Sequence, residues 1–427
     1  MNNRAALALC LAAAIGLSAC AGRSDDSLNA IAQDYVIMTL EIGEREDGYV
    51  DAYHGPPEWA QTARANPRTV DQLRTAAAAL SQRLERLPTR GLSQDEIQRR
   101  EYLIAHVRAA ETRLVMIAGG ELSFADEAEG LFGVRPETPP LSTYDETLAR
   151  IDALIPGPGP LHERVAAFRA GYVIPTDRLE AVMGAAIEEC KARTAARFDL
   201  PEGERFTLEF VTDQPWSGYN WYQGDAVSLI QINTDLPIYI DRAVDLGCHE
   251  GYPGHRVYNA LLERAFVDER GWMEMSVYPL YSPMSFIAEG SANYGIDLAF
   301  PGEERARFEA EVLYPLAGLD PVTAPAQAEL LELMRGLRRA EYTTASNYLA
   351  GRIDRETAVD QLQHYGLTAR DRAEQRLSFI ERYRSYVINY GLGRDMVQAW
   401  VEAQGGDPWV VTERLLSSQI LPTDLLE

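Results

Sequence analysis

Histidine is scarce in this chain: six in 427 residues, at positions 54, 106, 162, 249, 255 and 364. Any centre built on more than one imidazole has few places to form, and only 249 and 255 lie close together. Cationic side chains are also short, 40 against 64 acidic ones, for a formal charge of −24. That balance makes nucleic acid a poor partner and acidic phospholipid a repelling surface, while a basic peptide is welcome. Beyond the N-terminus no stretch is apolar for the roughly 18 residues that a spanning helix needs. What is present is ordinary for a globular protein, 46% hydrophobic and 24% charged, with enough apolar material for a substantial core.

Met1-Asn2-Asn3-Arg4 followed by Ala5–Gly16 is a charged segment and a short apolar run, and Leu17-Ser18-Ala19-Cys20 resembles a bacterial lipobox. We read residues 1–19 as a lipoprotein signal, Cys20 as the acylated N-terminus and 20–27 as a linker. An ordinary signal peptide ending Leu-Ser-Ala is the alternative. Several acyl chains on one residue make a stable anchor. Ala21 after the cysteine favours the outer membrane, so the expectation is a body tethered in the cell envelope and facing the periplasm. The cysteines number four. Cys10 leaves with the signal, and Cys190 and Cys248 remain in an oxidising compartment. Two buried thiols are the expectation there, with a disulfide as the alternative.

The organising stretch is Asp245-Leu-Gly-Cys-His249-Glu250-Gly-Tyr-Pro-Gly-His255, with Ala288-Glu289-Gly-Ser-Ala-Asn293-Tyr294 downstream. Two imidazoles and a carboxylate form the ligand set of a catalytic zinc site, and Glu250 beside it is placed to act as base. Histidines six residues apart sit roughly 120° off a common helical face, at about 100° per residue. Pro253, four residues after His249, clashes with that residue's carbonyl and has no N–H to donate. The spacing therefore predicts a helix interrupted at 252–254, with His255 returned to the metal side. Small residues around Glu289 predict close packing on the His helix. Asn293, at i+4 from Glu289, and Asp245, four before His249, are candidates to orient the ligand histidines. Cys248 is not a candidate ligand, because one residue along a helix it points about 100° away.

His-Glu-Gly-Tyr-Pro-Gly-His with Ala-Glu-Gly-Ser-Ala-Asn-Tyr resembles the bacterial family catalogued as domain of unknown function 885, grouped with zincin-like metallopeptidases of the Glu-ligand type. Gly48–Pro57 resembles that family's Tyr-Gly-Pro stretch. The chain departs from the pattern at Arg256, where the family often has a further His, and at 386–397, where its Pro-Gly-Gln run is not evident. The resemblance implies a mainly α, zincin-like fold, with one zinc ion held by His249, His255 and Glu289.

Periodicity fills in the rest. Helical patterns occupy 28–42, 70–87, 93–117 (opened by a Ser93-x-x-Glu96 cap), 142–154, 161–170 and 176–198, giving a helical lobe over 28–200. Residues 206–211 and 226–233 alternate as strands around an aromatic loop, Trp216–Gly224. They begin a catalytic lobe over 201–427, expected to form one continuous two-lobed domain with the first. Residues 44–51 and 55–57 read as breaks in the helical pattern and 270–283 as a loop, and 370–390 as a helix rich in tyrosine. Tyr383, Tyr386, Tyr390 and Arg394 are candidates to stabilise an oxyanion, although a tyrosine stripe at helical spacing is more often core. Tyr252 is undetermined, and His54 reads as a surface-turn residue. Three functions remain open: a zinc metallopeptidase with Glu250 as general base, a metal hydrolase of non-peptide amides or esters, and a tethered binding protein without turnover. A retained Glu250 argues against the third.

Overall fold

Hydroxyl caps start the long helices of the first half. Thr69 with Gln72 and Ser93 with Glu96 each form a reciprocal cap, opening the helices Val70–Arg86 and Gln94–Ile117. Both pack with the first helix, Leu28–Gly43, whose Ile31, Tyr35, Met38 and Ile42 are buried. The computed structural model describes residues 27–214 and 216–426; the lipobox and Cys20 lie outside them. Among the described residues no helix is long and apolar enough to cross a membrane. The chain is mainly helical, with a small sheet.

Among the described residues five short strands break the helical pattern: β1 (Val50–Tyr53), β2 (Arg205–Val211), β3 (Gly218–Tyr222), β4 (Val227–Asn233) and β5 (Val277–Pro279). Strands β2, β4 and β3 form one sheet in that order, with β2 parallel and β3 antiparallel to β4. The aromatic stretch expected to be a loop is thus an edge strand at its centre. Trp216, Tyr219 and Trp221 pack on one another along it. The segments read as a break and as a loop also carry strands, because β1 and β5 pair antiparallel. Neither is legible locally, since each strand exists only through its distant partner.

Contacts cross freely between the first 200 residues and the rest. Arg99 forks onto Glu274 at 2.6 and 2.8 Å, both fully buried. Glu127 accepts from Arg384 Nε and from the Ser385 amide and hydroxyl. A smaller cluster around Ile151, Val165, Leu330 and Leu337 stands apart from the main core. The helix Pro283–Ala299 is the most buried of the long ones. Its tight approach is not to the His segment alone. A Cβ on Gly290 would stand 2.6 Å from the Gly393 carbonyl carbon, so the partner there is the helix Ile388–Gln404; Gly295 faces Pro253 instead.

Cys190 and Cys248 form a disulfide, Cα–Cα 5.4 Å, against the expectation of free thiols. The reason is tertiary: the helix Leu179–Ala195 lies against the turn that carries His249. Closing the 58-residue separation restricts the unfolded chain by about 4 kcal/mol on the loop-entropy account.

One buried histidine makes folding sensitive to acid. His106 lies between Tyr102 and Tyr35, its Nδ1 bonded to the Tyr102 carbonyl, which fixes the neutral tautomer with the proton on Nδ1. Burial lowers its pKa to about 4, against a smaller opposing effect of that hydrogen bond. The unfolded chain therefore takes up a proton near 6.5 that the folded one refuses until about 4. This contribution to stability is complete above pH 6.5 and is lost as pH falls toward 4, by on the order of 3 kcal/mol. Urea midpoints of wild type should fall more steeply across that window than those of His106→Phe.

Candidate active site

The site begins with the way the chain leaves a helix. Asp241–Leu246 is α-helical, and the next turn, Gly247–Gly251, widens to a π turn that carries His249 and Glu250. Tyr252 is extended, the Tyr252–Pro253 peptide is cis, and a new helix, His255–Leu262, starts on the second histidine. Tyr252 N–H reaches back to the Gly247 carbonyl, and Gly254 N–H to that of Cys248 at 3.0 Å, so the interrupted turn keeps its bonds. The expected interruption at 252–254 is present. Its glycine requirement is steric, though: a Cβ on Gly254 would fall 1.8 Å from the His249 carbonyl oxygen, while its φ is an ordinary −74°.

This bend sets the two imidazoles perpendicular, with ring centres 4.6 Å apart. Glu289 lies between them, Oε2 at 3.1 Å from His249 Nε2 and Oε1 at 3.6 Å from His255 Nε2. One ligand atom from each of the three falls within 4.8 Å of the others. Tetrahedral zinc with bonds near 2.05 Å wants donors about 3.3 Å apart, so the set fits such an ion. Glu289 Oε2 is buried without a well-formed hydrogen bond, as a metal-ligating oxygen would be.

Around this cluster the field is steep. Burial opposes the charged His255 ring, but Glu289, Glu250 and Asp51 outweigh it and raise its pKa to about 9. Glu289 is pushed up by burial and held far below the usual carboxylate range by His255 and His249. Burial raises Glu250, against the pull of the two histidines. The Glu250 carboxylate fits beside β3 because residue 218 is glycine; a Cβ there would stand 3.1 Å from its Oε1. Asn220 donates to the Glu250 carbonyl at 2.9 Å, fixing that residue's backbone to the same strand.

Of the tyrosines, Tyr386 donates to Glu289 Oε1 at 2.9 Å, and Tyr390 lies parallel to the His249 ring. The chain delivers them by a break absent from the sequence reading. The helix Arg370–Tyr383 stops at Arg384, which takes φ +53° with its guanidinium on Glu127, and Ile388–Gln404 starts afresh. Tyr383 packs on Phe379 and Tyr386. Arg394 borders the cleft, but its guanidinium is bound by Asp297 and Asp395.

Three assignments need correction. Asp245 does not hold His249; its carboxylate bonds Arg305 and Arg242 at 2.8 and 2.9 Å, the former brought by the helix Glu304–Phe308 and the π turn that follows. Asn293 spends its amide on the Glu289 carbonyl at 3.0 Å, one turn back on its own helix. His54 is no surface turn: it packs edge-on to Tyr222 with Nε2 3.8 Å from Glu263. Arg256, where the family resemblance expects a histidine, faces away from the site. It is fully buried and joins Glu204 to the carbonyls of Arg205 and Ala226, tying the His255 helix to the sheet. Tyr252 bonds the same Glu204.

Asp51 escaped sequence reading altogether. It lies on β1 and enters the cleft; burial raises its pKa to about 7, with His255 opposing and Glu289 and Glu250 adding to the rise. An aspartate between the apolar residues of Gly48–Pro57 was the available signal, but only pairing with β5 brings it to the site. The cleft itself encloses about 1060 Å³, with the triad and Glu250 on its wall.

Among solved structures, the chain is similar to a candidate lipoprotein of Colwellia psychrerythraea: TM-score 0.52, 16% identity, covering 84% of this chain and 66% of that one. It thus spans just under two thirds of that protein's length, and the likeness concerns the fold. It is also similar to a carboxypeptidase of Pyrococcus furiosus, at TM-score 0.45 and 12% identity over 92% of this chain and 89% of that one. An M32 carboxypeptidase of Deinococcus radiodurans R1 gives 0.44 and 13% over 91% and 87%. No protein-family model matches the sequence, and no curated protein does, so the resemblance to domain of unknown function 885 rests on its motif residues. A mainly helical body with a small sheet beside the histidine helices agrees with the fold class that those residues implied.

Gly254→Ala should disrupt the site and leave most helix intact: zinc affinity, titrated against a chromophoric indicator, is expected to fall at least about tenfold while far-UV circular dichroism stays near wild type. Gly251→Ala, whose added Cβ meets nothing closer than 3.9 Å, should bind as wild type.

Proposed function

We propose that the chain is a zinc-dependent hydrolase, most simply a peptidase, working from the envelope side of a bacterial membrane to which Cys20 tethers it. The observation that carries this reading is the meeting of His249, His255 and Glu289 beside Glu250 on the wall of a cleft large enough for a peptide. The tether rests on Leu17–Cys20; the outer membrane, suggested by Ala21, is the site of choice.

Bound by the three side chains, the ion would polarise the scissile carbonyl and lower the pKa of a water toward about 7. Glu250 takes the proton from that water and later gives it to the leaving amine, and its raised pKa suits both transfers. Tyr390 has a hydroxyl without a hydrogen-bond partner among the described residues, on the His249 side of the site. That makes it the donor of choice for the oxyanion. Tyr386 is a positioning residue, holding Glu289 by one carboxylate oxygen and leaving the other for the metal. Arg394, bound between two aspartates, serves the frame of the cleft. The free edge of β3 offers main-chain groups to an extended substrate.

Ester and non-peptide amide hydrolysis need the same groups, so substrate class decides between the two enzymatic readings. Glu250→Gln should lose activity by about 10²–10⁴-fold while still binding one zinc per chain. Tyr390→Phe should lower kcat on the order of 10²-fold with KM nearly unchanged. Screening zinc-loaded wild type against a peptide library and a set of aryl esters checks all of this. If it is as inert as Glu250→Gln on every substrate, the protein is a binder and not an enzyme.

A further inference from the structure

Although the protein is strongly acidic, guanidinium groups crowd the cleft, and nearly all of them are occupied. Arg242 and Arg305 share Asp245 at 2.9 and 2.8 Å, Arg335 bonds Asp297 at 3.0 Å, and Arg376 forks onto Glu341 at 2.7 Å. Arg338 differs. It sits in the turn 336–339 between the helices Ala324–Arg335 and Ala340–Leu349, and its side chain is exposed into the cleft. No carboxylate, carbonyl or aromatic ring of the described residues holds it.

Its surroundings favour an incoming anion. Asp245, the carboxylate that attracts Arg338 most, is already bonded by two other guanidiniums, and Arg335, Arg242 and Arg305 repel it. Confinement by the cleft walls, together with those like charges, lowers its pKa, yet an arginine stays protonated throughout the physiological range. A planar cation held open among like charges gains most from a carboxylate that it can grip with two N–H groups. The position is also apt. Arg338 lines the same cleft as His249, His255 and Glu289, and so does Asp245, which belongs to the segment that carries His249.

We propose that Arg338 is the anion-recognising residue of this cleft and binds a carboxylate of the substrate, from the chain terminus or from an acidic side chain. It thereby sets which bond is presented to the metal site. What is cleaved rests on the hydrolase reading given above; what is bound does not.

The test is binding to the zinc-loaded Glu250→Gln protein by calorimetry, with three probes: tetra-alanine, its C-terminal amide, and the amide of Ala-Ala-Glu-Ala. At least one carboxylate-bearing probe should bind tenfold or more tighter than the tetra-alanine amide, which has no carboxylate. Adding Arg338→Met should abolish that preference, and Arg338→Lys should keep part of it. Preference for tetra-alanine assigns the terminal carboxylate, and preference for the glutamyl amide assigns the side chain. Equal binding of all three probes, or a preference that survives Arg338→Met, overturns the proposal. Arg338 makes no contact that folding depends on, and matched melting curves for the variants check this. A protein that discriminates the probes yet cleaves no peptide with Glu250 intact would overturn the peptidase reading alone.

Discussion

Residue 254 can come within bonding reach of the carbonyls of the preceding turn only because it has no side chain, and the meeting of His249 and His255 depends on that contact. The chain must stop one helix at Gly251 and start another at His255 with the two axes turned enough to face the imidazoles together. Two backbone N–H groups at the break, of Tyr252 and Gly254, are recaptured by the carbonyls of Gly247 and Cys248, which lowers what the bend costs. Pro253 ends the first helix, and its ring then rests against Gly295 of the helix that brings Glu289.

A second constraint acts from the far end of the chain. Gly290 and Gly393 let the helices Pro283–Ala299 and Ile388–Gln404 approach backbone to backbone. That closeness is what allows Tyr386 to bond Glu289 and Tyr390 to lie along His249. Buried charge elsewhere follows one rule: each carboxylate under the surface meets a guanidinium or several donors, as with Glu274 on Arg99 and Glu127 on Arg384 and Ser385. The metal cluster stands out because its acids outnumber the partners that could neutralise them, with Asp51, Glu250 and Glu289 facing two imidazoles. A divalent cation suits that excess.

What could be read from the sequence was local. Pro253 lies at the one spacing from His249 that forbids a continuous helix, so the interruption followed from residue types alone. The Ser93–Glu96 cap and the alternation in 206–211 and 226–233 were legible for the same reason. What escaped depends on partners remote in the chain. Asp51 enters the site through a strand pairing with β5, and Cys190 meets Cys248 because two helical segments happen to face each other. Asp245 and Asn293 were placed correctly on their helices, but stronger or nearer partners claim their side chains, Arg305 in one case and a carbonyl of the same helix in the other. The tyrosine segment misled because helical spacing says nothing of Arg384, whose left-handed backbone is held by Glu127 from another helix.

The bond between Cys190 and Cys248 joins a scaffold helix to the residue just before His249. Disulfides of this kind form where thiols meet an oxidant, and they are uncommon where glutathione and thioredoxin keep them reduced. The final bracing of the turn that carries His249 is therefore coupled to an oxidation event. A newly made chain in reducing surroundings has His249, His255 and Glu289 but lacks the brace beside the first of them, so the protein's own covalent chemistry times when that turn is fully held.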